Sequence, residues 1–202
     1  DDATAFHWNP AGIAMLDGID AAASYSRMYG GLASHQMLAI AGPTGHKDIM
    51  IGFGWVQSGV NDIPRYPELS RLLDDRETTA RKGAEGFFSY AENAFFFTAA
   101  RRFDVTLDLG WQYLTLPMQI PVGATIKYLT VSPGDTANSD GSGLGLDVGA
   151  QTRFELSRTF DNDNLGEVSL GVTITNVGRM RISWNTPSER TDGPPTLFSR
   201  RG

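Results

Sequence analysis

The chain has 202 residues, a net charge of -6, 23 glycines and no cysteine. That is enough length for one large β domain or two small ones; it excludes a disulfide framework and thiol chemistry, and the negative charge argues against nucleic acid as a partner. No window approaches the roughly 20 apolar residues of a membrane-spanning helix, so passage through a bilayer would require a closed barrel of strands, which a mean hydropathy of -0.23 permits.

Residues 1–18, DDATAFHWNPAGIAMLDG, do not alternate as a strand would. Asn9-Pro10 forces an extended or turn geometry ahead of the proline, and Ala11 and Gly12 give a compact bend. Phe6, Trp8, Ile13 and Met15 are too apolar for an exposed tail, so this segment is expected to fold back against the rest of the chain.

Ile19 to Tyr29 alternates weakly, with Ile19, Ala21, Ala23 and Tyr25 on one side. His35 to Ala41 predicts a short second strand, closed by the turn Gly42-Pro43-Thr44-Gly45. Asp48 to Ser58 predicts a third, in which Ile49, Ile51, Phe53 and Trp55 oppose Met50, Gly52, Gly54 and Val56. Residues 59–85 break this rhythm. Pro67 opens a run of helix formers, with Leu69, Leu72 and Leu73 on one face and Gly83 at its end, which predicts an external loop carrying a helix. Its alternating charges, from Arg71 to Lys82, read as a solvated face.

Phe87 to Ala100 resumes as a strand, and the run Phe95-Phe96-Phe97 makes both of its faces apolar, so one ring is expected to point inward. Arg101-Arg102-Phe103-Asp104 reads as a turn. After it, Val105, Leu107, Leu109, Trp111 and Tyr113 alternate with polar residues; Pro117 interrupts; and Ile120, Val122, Ala124, Ile126 and Tyr128 oppose Pro121, Gly123, Thr125 and Lys127. If Val105 to Thr115 crossed fully, the loops at 59–85 and 132–142 would lie at opposite ends of the strands; if it is a partial strand, they share one end, which is the arrangement favoured for barrels.

Gly143 to Val177 carries the cleanest pattern. Leu144, Leu146, Val148, Ala150, Thr152, Phe154 and Leu156 face one way, and Gly145, Asp147, Gly149, Gln151, Arg153 and Glu155 the other. After a turn at Asp161 to Gly166, Val168, Leu170, Val172 and Ile174 continue the apolar side, which makes a hairpin. The opposite side is rich in glycine, serine and threonine, which suits the crowded polar interior of a barrel better than the outside of a soluble sandwich. The fold class expected is therefore all-β, an antiparallel transmembrane β-barrel, with about eight strands in this chain. Arg179 to Pro195 reads as an extended loop, and Leu197 to Gly202 as the start of a further strand. With no initiator methionine either, the chain is expected to be part of a longer protein.

No catalytic constellation is present, so no enzyme activity and no cofactor are expected. His7, His35 and His46 lack metal-ligand spacing, and Asp161-Asn162-Asp163-Asn164 lacks the later ligands of a calcium loop. No metal is therefore expected. Asp108, Lys127, Asp147, Arg153 and Glu155 fall on the inward side, where each ion needs a partner. They are expected to form an ion-pair ladder that stiffens the wall; alternatively, Lys127 or Arg153 meets the head group of an acidic amphiphile.

FHWNPAGIA, near the start, resembles the NPAG-containing motif of outer-membrane proteins of the FadL-like long-chain fatty-acid transporter group, and looks closest to their PorV-type relatives. IPVGATIKYLTV, GLGLDVGAQTRF and VSLGVTITNVG are similar, in order and spacing, to strand motifs of that group, so the likeness runs from residue 2 to residue 178. It implies a bacterial outer-membrane barrel of about fourteen strands, of which residues 19–202 supply a part and residues 1–18 a plug. Asn9, Pro10, Ala11 and Gly12 would be its gating bend. The function implied is passive transport of small hydrophobic or amphipathic molecules. A PorV-type barrel that partners or shuttles secreted proteins is the alternative, with an external helix at 67–82 as its contact surface; a soluble β-sandwich binding module is a third. Membrane lipid, hydrophobic small molecules or secreted proteins are the corresponding partners.

Overall fold

The computed structural model describes residues 2–46, 48–66, 84–108, 110, 115–134, 140–157, 166–178 and 180–185. Among these, eight strands form one antiparallel sheet curled into a half-barrel. They are β1 (Asp20–Met28), β2 (Ala33–Pro43), β3 (Ile49–Arg65), β4 (Gly86–Asp108), β5 (Thr115–Pro133), β6 (Gly141–Glu155), β7 (Glu167–Ile174) and β8 (Arg181–Trp184). From β1 to β7 each strand pairs with its neighbour in sequence, while β8 pairs with β6 on the same strand edge as β7, further along. The all-β expectation holds at this level. A sandwich would need a second sheet, and the described strands form a single one.

Period-two patterning sets the two faces. The concave face carries Ala39, Ala41, Met50, Val56, Ala94, Phe96, Leu129 and Val131, all buried. The convex face carries apolar side chains aligned by register. Ile40, Phe53, Phe97, Ile126 and Leu146 stand in one row across five strands, and all five are exposed. In a neighbouring row Leu38, Trp55, Phe95, Tyr128 and Leu144 are aligned, and in the next Gln36, Gln57, Asn93, Thr130 and Ser142. The outer surface thus passes from apolar, through a row rich in aromatic rings, to wholly polar within two same-face steps. The Trp55 indole N–H bridges that border, donating to Asn93 Oδ1 at 3.2 Å.

Several boundaries differ from those the sequence suggests. β3 runs on to Arg65, past the expected loop start, because Val60 and Ile63 still pair with β4 around a bulge in which Asp62 takes φ 55°. Arg101 to Asp104 is not a turn, and β4 continues to Asp108. The charges there keep the alternation: Arg102 Nε lies 3.7 Å from Asp104 Oδ1, while Arg101 stands over the Phe103 ring on the other face. Pro117 does not interrupt β5; it lies beyond the last pair with β6, and Pro121 sits where that ladder skips from Gln119 to Val122, so neither missing N–H breaks a bond to β6.

Val105 to Asp108 is the end of β4, not a separate crossing, so the connections after β3 and after β5 leave from the same end of the sheet. Arg181 to Trp184, expected as loop, is a strand. The helix expected from Pro67 and the turn at Asp161 to Asn164 lie outside the described residues.

Candidate functional site

Residues 2–16 fold back as expected, in two short 3-10 helices, Ala3–His7 and Pro10–Met15, laid on the concave face. Asp2 caps the first by accepting from Thr4 N. Proline, with its fixed φ and missing donor, opens the second, where that donor would have had no partner. Phe6, Ala11 and Ile13 are buried, and Phe6 packs on Phe96 with centroids 4.8 Å apart. Of the three consecutive phenylalanines, Phe96 is thus the one that points inward. Each large apolar side chain buried in this way contributes about 1.5–3 kcal/mol.

The seat is made of glycine. A Cβ on Gly54 would lie 2.2 Å from Phe6 Cζ, one on Gly123 2.6 Å from the Pro10 carbonyl carbon, and one on Gly149 2.1 Å from Asn9 Oδ1. These residues come from β3, β5 and β6, so the curved sheet gathers three hollows under one segment. Asn9 fastens the fit. Its side-chain oxygen accepts from Ala11 N at 3.0 Å, and its side-chain nitrogen donates to the Ala150 carbonyl at 3.2 Å. Of the predicted bend, Pro10, Ala11 and Gly12 are all buried, and Asn9 is the anchor at its entrance. Sequence reading singled out these four residues but took the glycines as general polar lining. Phe6 lies 48 positions from Gly54, and Pro10 and Asn9 more than a hundred from Gly123 and Gly149, so no local pattern points to these contacts.

The five inward charges do not form one ladder. Lys127 Nζ and Asp147 Oδ1 meet at 2.9 Å, both buried, and Asp147 Oδ1 also accepts from Asn176 N at 2.7 Å. Arg153 pairs instead with Glu167 on β7 at 2.7 Å, Glu155 accepts from the Ser157 hydroxyl, and Asp108 accepts from Gly110 N at the far end of β4. The lattice of the wall explains the separation: Lys127 and Asp147 stand on adjacent strands one diagonal step apart, whereas Arg153 and Asp108 lie well down the strands. Two inward polar residues of β4, Glu92 and Thr98, escaped sequence reading. Glu92 is buried and accepts from the Tyr90 hydroxyl, and the Thr98 and Thr125 hydroxyls bond at 2.7 Å between β4 and β5.

Asn176 lies in a break in the wall. β7 pairs with β6 as far as Val148 and β8 resumes at Leu144, so Gly145, Leu146 and Asp147 have no ladder partner on that edge. The chain bulges through Asn176, with φ 55°, and Gly178, with φ 83°. Val177 N donating to the Leu146 carbonyl at 2.7 Å and the Asp147 contact hold it in place.

His7 rides on the segment, with its ring edge-on to Phe96 at 6.0 Å and to Trp8 at 5.0 Å. Burial pushes its pKa below the usual imidazole range, with His35 and Lys127 adding to the effect and Asp147 opposing it. Among the described residues no group of His, Asp and Glu side chains could hold a metal. The site can therefore hold a peptide segment by shape and a buried ion pair. No protein-family model, curated protein or solved structure matches the chain.

Proposed function

We propose that the protein is a β-barrel of the bacterial outer membrane that lets small hydrophobic or amphipathic molecules pass its docked N-terminal segment. The observation that carries this reading is the outer face: rows of exposed apolar side chains, bordered by Trp55, Phe95 and Tyr128 and then by a wholly polar row. In water a surface of that kind is an aggregation liability. Against a bilayer it matches the apolar band and aromatic girdle of a membrane barrel.

In this reading residues 1–18 are the plug and Asn9 to Gly12 the part that moves. The segment rests on glycines through close contact, so a small displacement frees it without disturbing the strands. The Lys127–Asp147 pair keeps the wall fixed while the segment shifts, and the break beside Gly145 to Asp147 is where a molecule past the plug would leave sideways.

The test is extraction in detergent followed by comparison of unheated and boiled samples on a gel, with circular dichroism alongside. A shifted boiled band and a strand-rich spectrum are expected, and Pro10→Leu should then alter uptake of a fluorescent fatty-acid analogue into proteoliposomes while leaving the shift unchanged. A protein that stays soluble without detergent and shows no shift sinks the reading; loss of the shift in Pro10→Leu would make the segment structural and not a gate.

A further inference from the structure

The outer face carries a groove of about 760 Å³ that runs across the strands from Ile40 to Leu146. Its floor is formed by Ala99 and Ala124, which the register places side by side, and its wall by the taller row that contains Phe53, Phe97 and Ile126. The volume lies within the range of small-molecule sites, and the lining is overwhelmingly apolar, with no charged side chain in it.

The charge stands on the opposite rim. Arg101 is one same-face step from Ala99 on β4, exposed and paired in register with Ile49 and Val122. Its guanidinium lies 4.8 Å from the Phe103 ring centroid, and among the described residues no carboxylate pairs with it. Stacking on a ring satisfies one face of a guanidinium and leaves its five N–H donors unfilled. A cation in an apolar, lipid-facing surface is otherwise disfavoured, because lipid tails cannot replace its hydration.

We infer that this groove and Arg101 form a binding site for an anionic glycerophospholipid, an acyl chain lying over Ala99 and Ala124 and the phosphate bonded to Arg101. The inference rests on the outer-membrane reading above. Phosphate and guanidinium match in charge and in bidentate geometry, and hydrocarbon matches the lining. Arg101 also lies toward the end of the sheet where the chain turns between β2 and β3 within residues 44–48. Short turns of such barrels lie on the periplasmic side, which places the site in the phospholipid leaflet.

The experiment is reconstitution of the protein into nanodiscs of equal phosphatidylglycerol and phosphatidylcholine, then detergent release and counting of retained lipids by native mass spectrometry. The wild type should retain one phosphatidylglycerol in preference to phosphatidylcholine. Arg101→Gln should lower that preference about tenfold, Arg101→Lys should keep part of it, and Ala124→Phe, which fills the groove, should lose retention of either lipid. Equal retention of both lipids by the wild type, or an unchanged preference in Arg101→Gln, would overturn the site while leaving the barrel standing. Failure to enter nanodiscs at all would overturn both, and the heat-shift gel separates the two failures.

Discussion

Gly123 shows how much of this molecule is decided by single missing atoms. A methyl group there would come within 2.6 Å of the Pro10 carbonyl, and because the obstacle is backbone it cannot swing aside as a side chain could. Gly123→Ala should weaken docking of residues 2–16 by about 1–3 kcal/mol, the usual cost of overpacking, seen as faster proteolysis of the segment with the strand signal in circular dichroism intact. Gly86→Ala, where a Cβ meets nothing within 4 Å, is the control and should leave the digestion rate alone. His7 acts at the same scale. Its pKa is lowered when docked, chiefly by burial and then by His35 and Lys127, whereas a released His7 titrates near the ordinary value of about 6.5. The released state thus binds more protons, so docking is at full strength well above pH 6.5, weakens as pH falls through that value, and levels off below the docked pKa. Proteolysis of the segment measured across pH 5–8 should accelerate on the acid side, and His7→Gln should flatten that dependence.

Strands and their joints set how Lys127 and Asp147 work. The pair ties β5 to β6, and through the Asn176 N–H it also holds the bulge between β7 and β8. Removing one partner strands the other charge out of water, which typically costs about 3–5 kcal/mol. Lys127→Met should therefore destabilise strongly, while Lys127→Met combined with Asp147→Leu should cost less than the sum of the two single changes in a double-mutant cycle of thermal unfolding.

The same scale explains what was legible beforehand. Ile49 to Val56 and Leu144 to Glu155 alternate without interruption, and the structure keeps the alternate sets on opposite faces as the pattern dictates, with Ile51, Phe53, Leu144 and Leu146 outward and Met50, Val56 and Asp147 inward. The quartet Arg101 to Asp104 misled because its charges look like a turn, yet two face each way and the ladder with β5 accommodates both. Pro117 looked like a breaker, but a missing donor matters only where a neighbouring strand asks for it, and the ladder with β6 ends before Pro117 and skips Pro121. The Asn9 bend was visible from its proline, but its receiving glycines were not, since contact across the curve of a sheet leaves no trace in local spacing.

At the scale of the whole molecule, the two faces of the sheet are solved differently. The inner face covers itself with the chain's own N-terminal segment, so its apolar residues are buried. The outer face leaves Ile126 and Phe97 each 56% exposed in the midst of like neighbours, and nothing within the described chain covers them. What covers them decides what a charge would cost there. Ile126→Arg on a water-facing surface should change stability by no more than about 0.5 kcal/mol and would improve solubility. Facing lipid, it should cost about 2–4 kcal/mol near the bilayer midplane, a difference that unfolding titrations in phospholipid vesicles resolve. Thr98→Val is the useful companion, because it loses a buried hydroxyl pair with Thr125 and should cost a similar amount in either solvent. A large penalty for Ile126→Arg only in the presence of bilayers would assign the outer face to lipid, and a negligible penalty in both would return that face to water and remove the ground for a membrane barrel.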